Sequence, residues 1–209
     1  MLSPDCTKFV ISIPKNASSY LVDWSTRNGW SSATVGDTCD WHLVQEIIVF
    51  LRDPVQRWVS GISQYISGHV LNVSNAYTSA DGPGPDDQFM SADEFIKNYN
   101  SVAERLLFDQ LSELDDHVWP QTRFLDVLPS IPRTHFVIDT NFTDRVSQYL
   151  KFDPQAGLDY NRGDSNPDVA KLQQFFQLRL NSRPELIERV KLRYQQDYDY
   201  IKHNTNRTR

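Results

Sequence analysis

Three short apolar runs stand out along a largely polar chain. The first, Lys8-Phe-Val-Ile-Ser-Ile13, is rich in branched residues and stops at Pro14-Lys-Asn-Ala-Ser-Ser19, after which Tyr20-Leu-Val-Asp-Trp24 starts a helical pattern. The second, Glu46-Ile-Ile-Val-Phe-Leu51, is continuously apolar, as expected of a strand buried on both faces in a parallel sheet, and it ends at Arg52-Asp-Pro54. From Pro54 to Ser67, Val55, Trp58, Val59, Ile62 and Ile66 recur at steps of three and four, which predicts a helix with proline in its first turn. Thr134-His-Phe-Val-Ile138 reads as a third core strand. Residues 25–44, by contrast, are polar and irregular.

Between these runs the pattern alternates helix and loop. Residues 68–88, ending in Asp81-Gly-Pro-Gly-Pro-Asp-Asp87, predict a long surface excursion or substrate lid. Ser91-Ala-Asp-Glu94 has capping-box spacing ahead of Phe95, Ile96 and Tyr99, and further helices are expected over 101–114 and 143–150. After a loop at 153–168, two helices follow. They break at Asn181-Ser-Arg-Pro184, and the second runs through Leu186, Val190, Tyr194, Tyr198 and Ile201. The alternation predicts a parallel α/β domain with helices over the sheet, and 209 residues suit a single domain spanning 1–209.

Charge adds a regional picture to this. The formal net charge is −6, but residues 61–160 hold six basic and fifteen acidic residues, whereas 161–209 hold ten and six. The acidic balance argues against a general nucleic-acid surface and leaves room for a local anion pocket. Cys6 and Cys39 match no metal-ligand spacing and form no disulfide framework. Neither a spanning apolar stretch nor a secretory leader is legible, so a soluble intracellular chain without membrane insertion is expected.

The candidate chemistry begins at the strand ends. Backbone N–H groups at a helix start bind anions, and Lys15, Ser18 and Ser19 add a cation and two hydroxyls there. This is not a GxxxxGK[ST] loop, since it has no glycine and its lysine precedes the hydroxyl residues. Arg52 after the second strand and Ser60 on the following helix offer another anion contact, so a ligand with two phosphates is expected. His117 is the candidate general base, because neutral imidazole accepts a hydroxyl proton near neutral pH. His42, His69, His135 and His203 suggest no metal cluster, and His135, in an apolar run, reads as a hydrogen-bonded core residue.

Pro14-Lys15-Asn16-Ala17-Ser18-Ser19 and Arg52-Asp-Pro-Val-Gln-Arg57 with Ser60 together resemble the signatures of sulfotransferases that use 3′-phosphoadenosine 5′-phosphosulfate. His117-Val-Trp-Pro-Gln-Thr-Arg-Phe-Leu125 resembles the histidine segment of the membrane-associated carbohydrate sulfotransferases within that group. The first loop departs from commoner family forms in carrying Asn16-Ala17. The resemblance implies a P-loop-like three-layer α/β/α domain with a central, mainly parallel sheet. It also implies sulfuryl transfer to a hydroxyl of a carbohydrate or other small acceptor, with adenosine 3′,5′-bisphosphate as product and no metal.

By the same resemblance, Pro14 to Ser19 surround the 5′-phosphosulfate, Lys15 also stabilises the leaving group, and Arg52 and Ser60 hold the 3′-phosphate. Arg162, in the late polar loop with Ser165 and Asn166, adds a further cofactor contact. His117 is the base and Gln121 an orienting or substrate contact; beside the resemblance, Trp119, next to the base, is a candidate acceptor contact, and Arg123 either meets an acidic acceptor or stays solvated. Arg57 either helps to hold the second loop or is a plain exposed helix arginine. Two other functions fit the residues less closely: a nucleotide-dependent phosphotransferase, and a non-catalytic protein that binds phosphonucleotides or glycans.

Overall fold

Alternate residues of the strands sort into two separate apolar clusters, and this decides which helices cover which side of the sheet. The computed structural model describes residues 1–33, 40–71, 90–110, 115–152 and 166–205. Its strands are β1 (Lys8–Ile11), β2 (Glu46–Leu51) and β3 (Arg133–Val137). The helices are α1 (Ser18–Arg27), α2 (Pro54–Tyr65), α3 (Ala92–Asn98), α4 (Ser101–Arg105), α5 (Gln121–Leu125), α6 (Phe142–Leu150), α7 (Pro167–Ser182), α8 (Pro184–Arg193) and α9 (Gln195–Thr205). π turns at Ile66–Val70 and Leu106–Gln110 extend α2 and α4, and Asp116–Val118 forms a 3₁₀ turn. The chain is thus mixed α/β with, among the described residues, a small open sheet of three parallel strands in the order β1-β2-β3.

Contacts divide the chain into two compact units, the first made of Met1–Pro54, Pro120–Asn161 and Tyr194–Arg209, the second of Val55–Trp119 and Arg162–Arg193. The first unit contains the sheet. Val10, Ile48, Phe50 and Phe136 pack with Leu21 and Trp24 of α1 and with Phe142 and Val146 of α6. The intervening residues Phe9, Ile11, Ile47, Val49 and Leu51 pack with Leu125 of α5 and with Tyr200 and Ile201 of α9. Every β2 residue from Ile47 to Leu51 is buried, as its unbroken apolar run requires, and each such side chain contributes about 1.5–3 kcal/mol of burial.

The second unit is helical. Trp58 of α2 lies 4.5 Å from the ring of Phe108 and 5.7 Å from that of Phe176, so it is a packing residue, as its helical spacing indicated. Leu172, Phe176 and Leu180 of α7 form a buried stripe at four-residue steps. Glu104, also buried, accepts hydrogen bonds from both Arg179 and Arg183, which offset its desolvation. The Ser91–Glu94 capping box is formed in full at the start of α3.

Several boundaries differ from the sequence expectation. α1 continues to Arg27, inside the stretch that looks irregular, because Thr26 and Asn28 return their polar side chains to the carbonyls of Val22 and Trp24. The last predicted helix divides into α8 and α9 around Tyr194, which is buried. β3 begins one residue early, at Arg133. Residues 72–88 of the expected lid, 111–114, Cys39 and the loop 153–165 lie outside the described residues. Among those described, no helix is long and apolar enough to cross a membrane.

His135 on β3 is half-buried and hydrogen-bonded, outside the apolar clusters: its Nε2 pairs with the Tyr200 hydroxyl at 2.8 Å. Burial, aided by the positive charge of Arg133, lowers its pKa to about 4. The unfolded chain therefore binds this proton more readily, so stability present above about pH 6.5 falls as pH drops towards about 4. Urea midpoints measured from pH 7 to pH 4.5 should fall less steeply for His135→Gln than for the wild type. Parallel curves would refute a buried neutral imidazole.

Candidate functional site

The loop between β1 and α1 adopts a backbone that its residues resist. Lys15 and Ala17 have positive φ (65° and 57°), and neither is glycine. Each left-handed residue of this kind costs about 1–2 kcal/mol, so the loop persists only because its surroundings over-determine it. Asn16, between them, has negative φ. Alternating hand of this kind is how backbone anion nests are built. Ala17 occupies the N-cap position of α1 and has no side chain with which to take up a helical N–H.

Side-chain hydrogen bonds from two residues help to hold the loop. Asn16 is fully buried and donates through Nδ2 to the Phe50 carbonyl (2.7 Å) and to Gln121 Oε1 (2.6 Å). Arg52, immediately beyond β2, donates from Nη1 to the Lys15 carbonyl (3.1 Å). Burial lowers the Arg52 pKa, partly opposed by the charge of Asp53, and an arginine so placed stays cationic. Lys15 and Arg52 thus stand at the carboxyl ends of the neighbouring parallel strands β1 and β2, the edge at which parallel α/β sheets bind ligands.

Gln121 ties these loops together. Oε1 accepts from Asn16 Nδ2 and from the Arg52 N–H (2.9 Å), while Nε2 donates to the Arg52 carbonyl (2.9 Å) and to Asp197 Oδ2 (3.4 Å). All four hydrogen-bonding positions of the amide are used, and the side chain is fully buried. Gln121, expected from the sequence to orient or contact the acceptor, crosslinks the two loops. Asp197 of α9 is the residue sequence reasoning missed. Its buried carboxylate accepts from the N–H groups of Gln121 (2.8 Å) and Thr122 (3.0 Å) and from the Thr122 hydroxyl (3.1 Å). It thereby caps α5, which Pro120 at the N-cap position cannot do. The only trace in the sequence was an acidic residue on the inward stripe of a terminal helix.

In the second unit, His117 lies in the 3₁₀ turn Asp116–Val118. Asp115 Oδ1 accepts from the His117 N–H at 2.8 Å and stands 2.8 Å from its Nδ1. Asp116 Oδ1 is 3.1 Å from the same ring nitrogen, and His69 Nε2 is 3.6 Å from Asp115 Oδ2. Two features of α2 hold this segment. Arg57 is 1% exposed and donates to the backbone carbonyls of Trp119 and Asp116, so it is not a surface arginine. Gly61 lies against the segment so closely that a Cβ there would collide with the His117 carbonyl and come within 3.0 Å of Val118 Cγ1.

Ser60 is half-buried on α2, Trp119 is half-buried, and Arg123 on α5 is exposed. Pro14 and Ala17 are half-buried within the loop. The side chains of Ser18 and Ser19, like Arg162 and Ser165, lie outside the described residues, while Asn166 serves as the N-cap of α7. Asp115, Asp116 and His117 are the one group of ligating side chains close enough together to surround a metal ion among the described residues. In comparisons with protein-family models, with curated proteins and with solved structures, the chain matches none of them.

Proposed function

We propose that this protein transfers a sulfuryl group from 3′-phosphoadenosine 5′-phosphosulfate to a hydroxyl of a carbohydrate or other small acceptor. The observation that supports this most is the strained Lys15–Ala17 turn, locked to Arg52 at the ends of two adjacent parallel strands. A strained backbone kept in place by buried side-chain hydrogen bonds suits a preorganised anion cradle, and two cations there suit a doubly anionic ligand. In the proposed reaction Lys15 and the loop N–H groups stabilise the departing phosphate oxygen, Arg52 contacts the 3′-phosphate, and His117 receives the acceptor proton. The proposal includes the P-loop-like three-layer α/β/α architecture with its central sheet.

Titration calorimetry with adenosine 3′,5′-bisphosphate, ATP and buffer tests the cofactor half by itself. The bisphosphate should bind in preference to ATP, and Arg52→Ala should weaken it by about ten- to a hundredfold, the loss of one charge-assisted contact. Preferential ATP binding, or none to the bisphosphate, would overturn the proposal. Labelled phosphosulfate offered with glycans, steroids, phenols and tyrosyl peptides then identifies the acceptor.

A further inference from the structure

The ring nitrogen of His117 that faces the protein is met by carboxylates on two sides. Asp115 Oδ1 is 2.8 Å from Nδ1, and Asp116 Oδ1 is 3.1 Å from it. An ionised carboxylate only accepts, so Nδ1 must be the donor, and in the neutral ring the lone pair then sits on Nε2. Nε2 has no hydrogen-bond partner among the described residues, and the side chain is 35% exposed.

The two aspartates are not equivalent. Asp115 is 11% exposed at its side chain against 50% for Asp116. The oxygen of Asp115 that meets Nδ1 also takes the His117 backbone N–H, so the carboxylate is tied to the same residue it orients. Its other oxygen faces His69 at 3.6 Å, from the π turn after α2. The backbone beneath is held by Arg57 and by the close approach of Gly61. A freely solvated histidine requires none of this.

We infer that Asp115 is a positioning residue that holds His117 as its Nδ1–H tautomer and presents Nε2 as the proton-accepting atom. The identity of the proton rests on the proposed sulfuryl transfer. There, the acceptor hydroxyl proton passes to Nε2 as its oxygen bonds to sulfur. The sulfur–oxygen bond to the phosphate breaks, and its electron pair leaves on adenosine 3′,5′-bisphosphate. The imidazolium that forms is stabilised by Asp115 and Asp116 until its proton returns to solvent. The tautomer itself does not depend on that reaction.

The test is a two-bond ¹⁵N–¹H correlation spectrum of histidine-labelled protein at a pH where the His117 ring is neutral. Wild-type His117 should give the pattern of a protonated Nδ1 and an unprotonated Nε2. Asp115→Ala should move it towards the Nε2–H form, whereas Asp116→Asn should leave it as in the wild type. With a competent acceptor, Asp115→Ala should lower kcat by about a hundredfold, the scale of one general-base contribution, while KM for the phosphosulfate donor stays unchanged. An Nε2–H tautomer in the wild type overturns the inference even if no variant folds. So does Asp115→Ala losing turnover with its tautomer unaltered. The expected tautomers with no sulfuryl transfer to any acceptor would instead overturn the proposed reaction and leave the orientation by Asp115 standing.

Discussion

Asp197→Ala should lose about 3–5 kcal/mol of stability and, in whatever remains folded, most of the affinity for adenosine 3′,5′-bisphosphate. The carboxylate receives the N–H groups of Gln121 and Thr122, the Thr122 hydroxyl and the Gln121 amide, all in the interior. Removing it leaves donors buried without acceptors, at about 1–3 kcal/mol each. It also frees the Gln121 amide to turn, and that amide fixes both Asn16 and the Arg52 backbone. Loosening it lets the left-handed Lys15 and Ala17 relax, which would dismantle the cradle before any ligand contact is touched. Urea denaturation gives the stability and calorimetry the affinity. Asp197→Asn, which keeps an oxygen on one side and turns an NH₂ toward a donor on the other, should fall between. A stability loss below about 1 kcal/mol for Asp197→Ala would show that this capping role is wrong.

Arg57→Ala is the second large effect, expected to cost about 3–5 kcal/mol. The guanidinium is buried and bridges two backbone carbonyls of the segment that carries His117, so truncation strands both acceptors and opens a cavity. Arg57→Lys keeps the charge but cannot span two carbonyls as the planar fork does, and should recover only part of the loss. Chemical denaturation measures the stability, and the amide resonances of Asp116–Trp119 report whether the segment has come loose. Resonances unchanged in Arg57→Ala would mean that the arginine does not brace this segment.

Much of the architecture is legible from local pattern. The strands at 8–11, 46–51 and 133–137 follow from apolar runs, the capping box at Ser91 from spacing, and the breaks near Arg52 and Pro184 from proline chemistry. Lys15 and Arg52 are recognisable because each lies in the turn that follows a buried strand. Arg57, Gly61 and Asp197 are not recognisable in this way. Arg57 and Gly61 sit on α2, where an arginine and a glycine look like ordinary helix surface, and their burial comes from a segment some sixty residues further on. Asp197 and Gln121 are 76 residues apart. Gln121 is picked out in the sequence only by the resemblance of its segment, and its four buried hydrogen bonds appear only where the packed elements bring Asn16, Arg52 and Asp197 to it.

Local pattern is enough to set buried parallel strands between helices and to put a cation after each of the first two. Periodicity and turn chemistry act between near neighbours, so they survive in one dimension. How those cations are held depends on packing: a left-handed turn at Lys15 and Ala17 is locked by Asn16, Gln121 and Asp197 from three separate parts of the chain. Packing likewise decides that His117 stands against Asp115 with its backbone pinned by Arg57. Hydrogen bonds between buried polar groups depend on where the packed elements bring them, and no spacing along the chain records that distance.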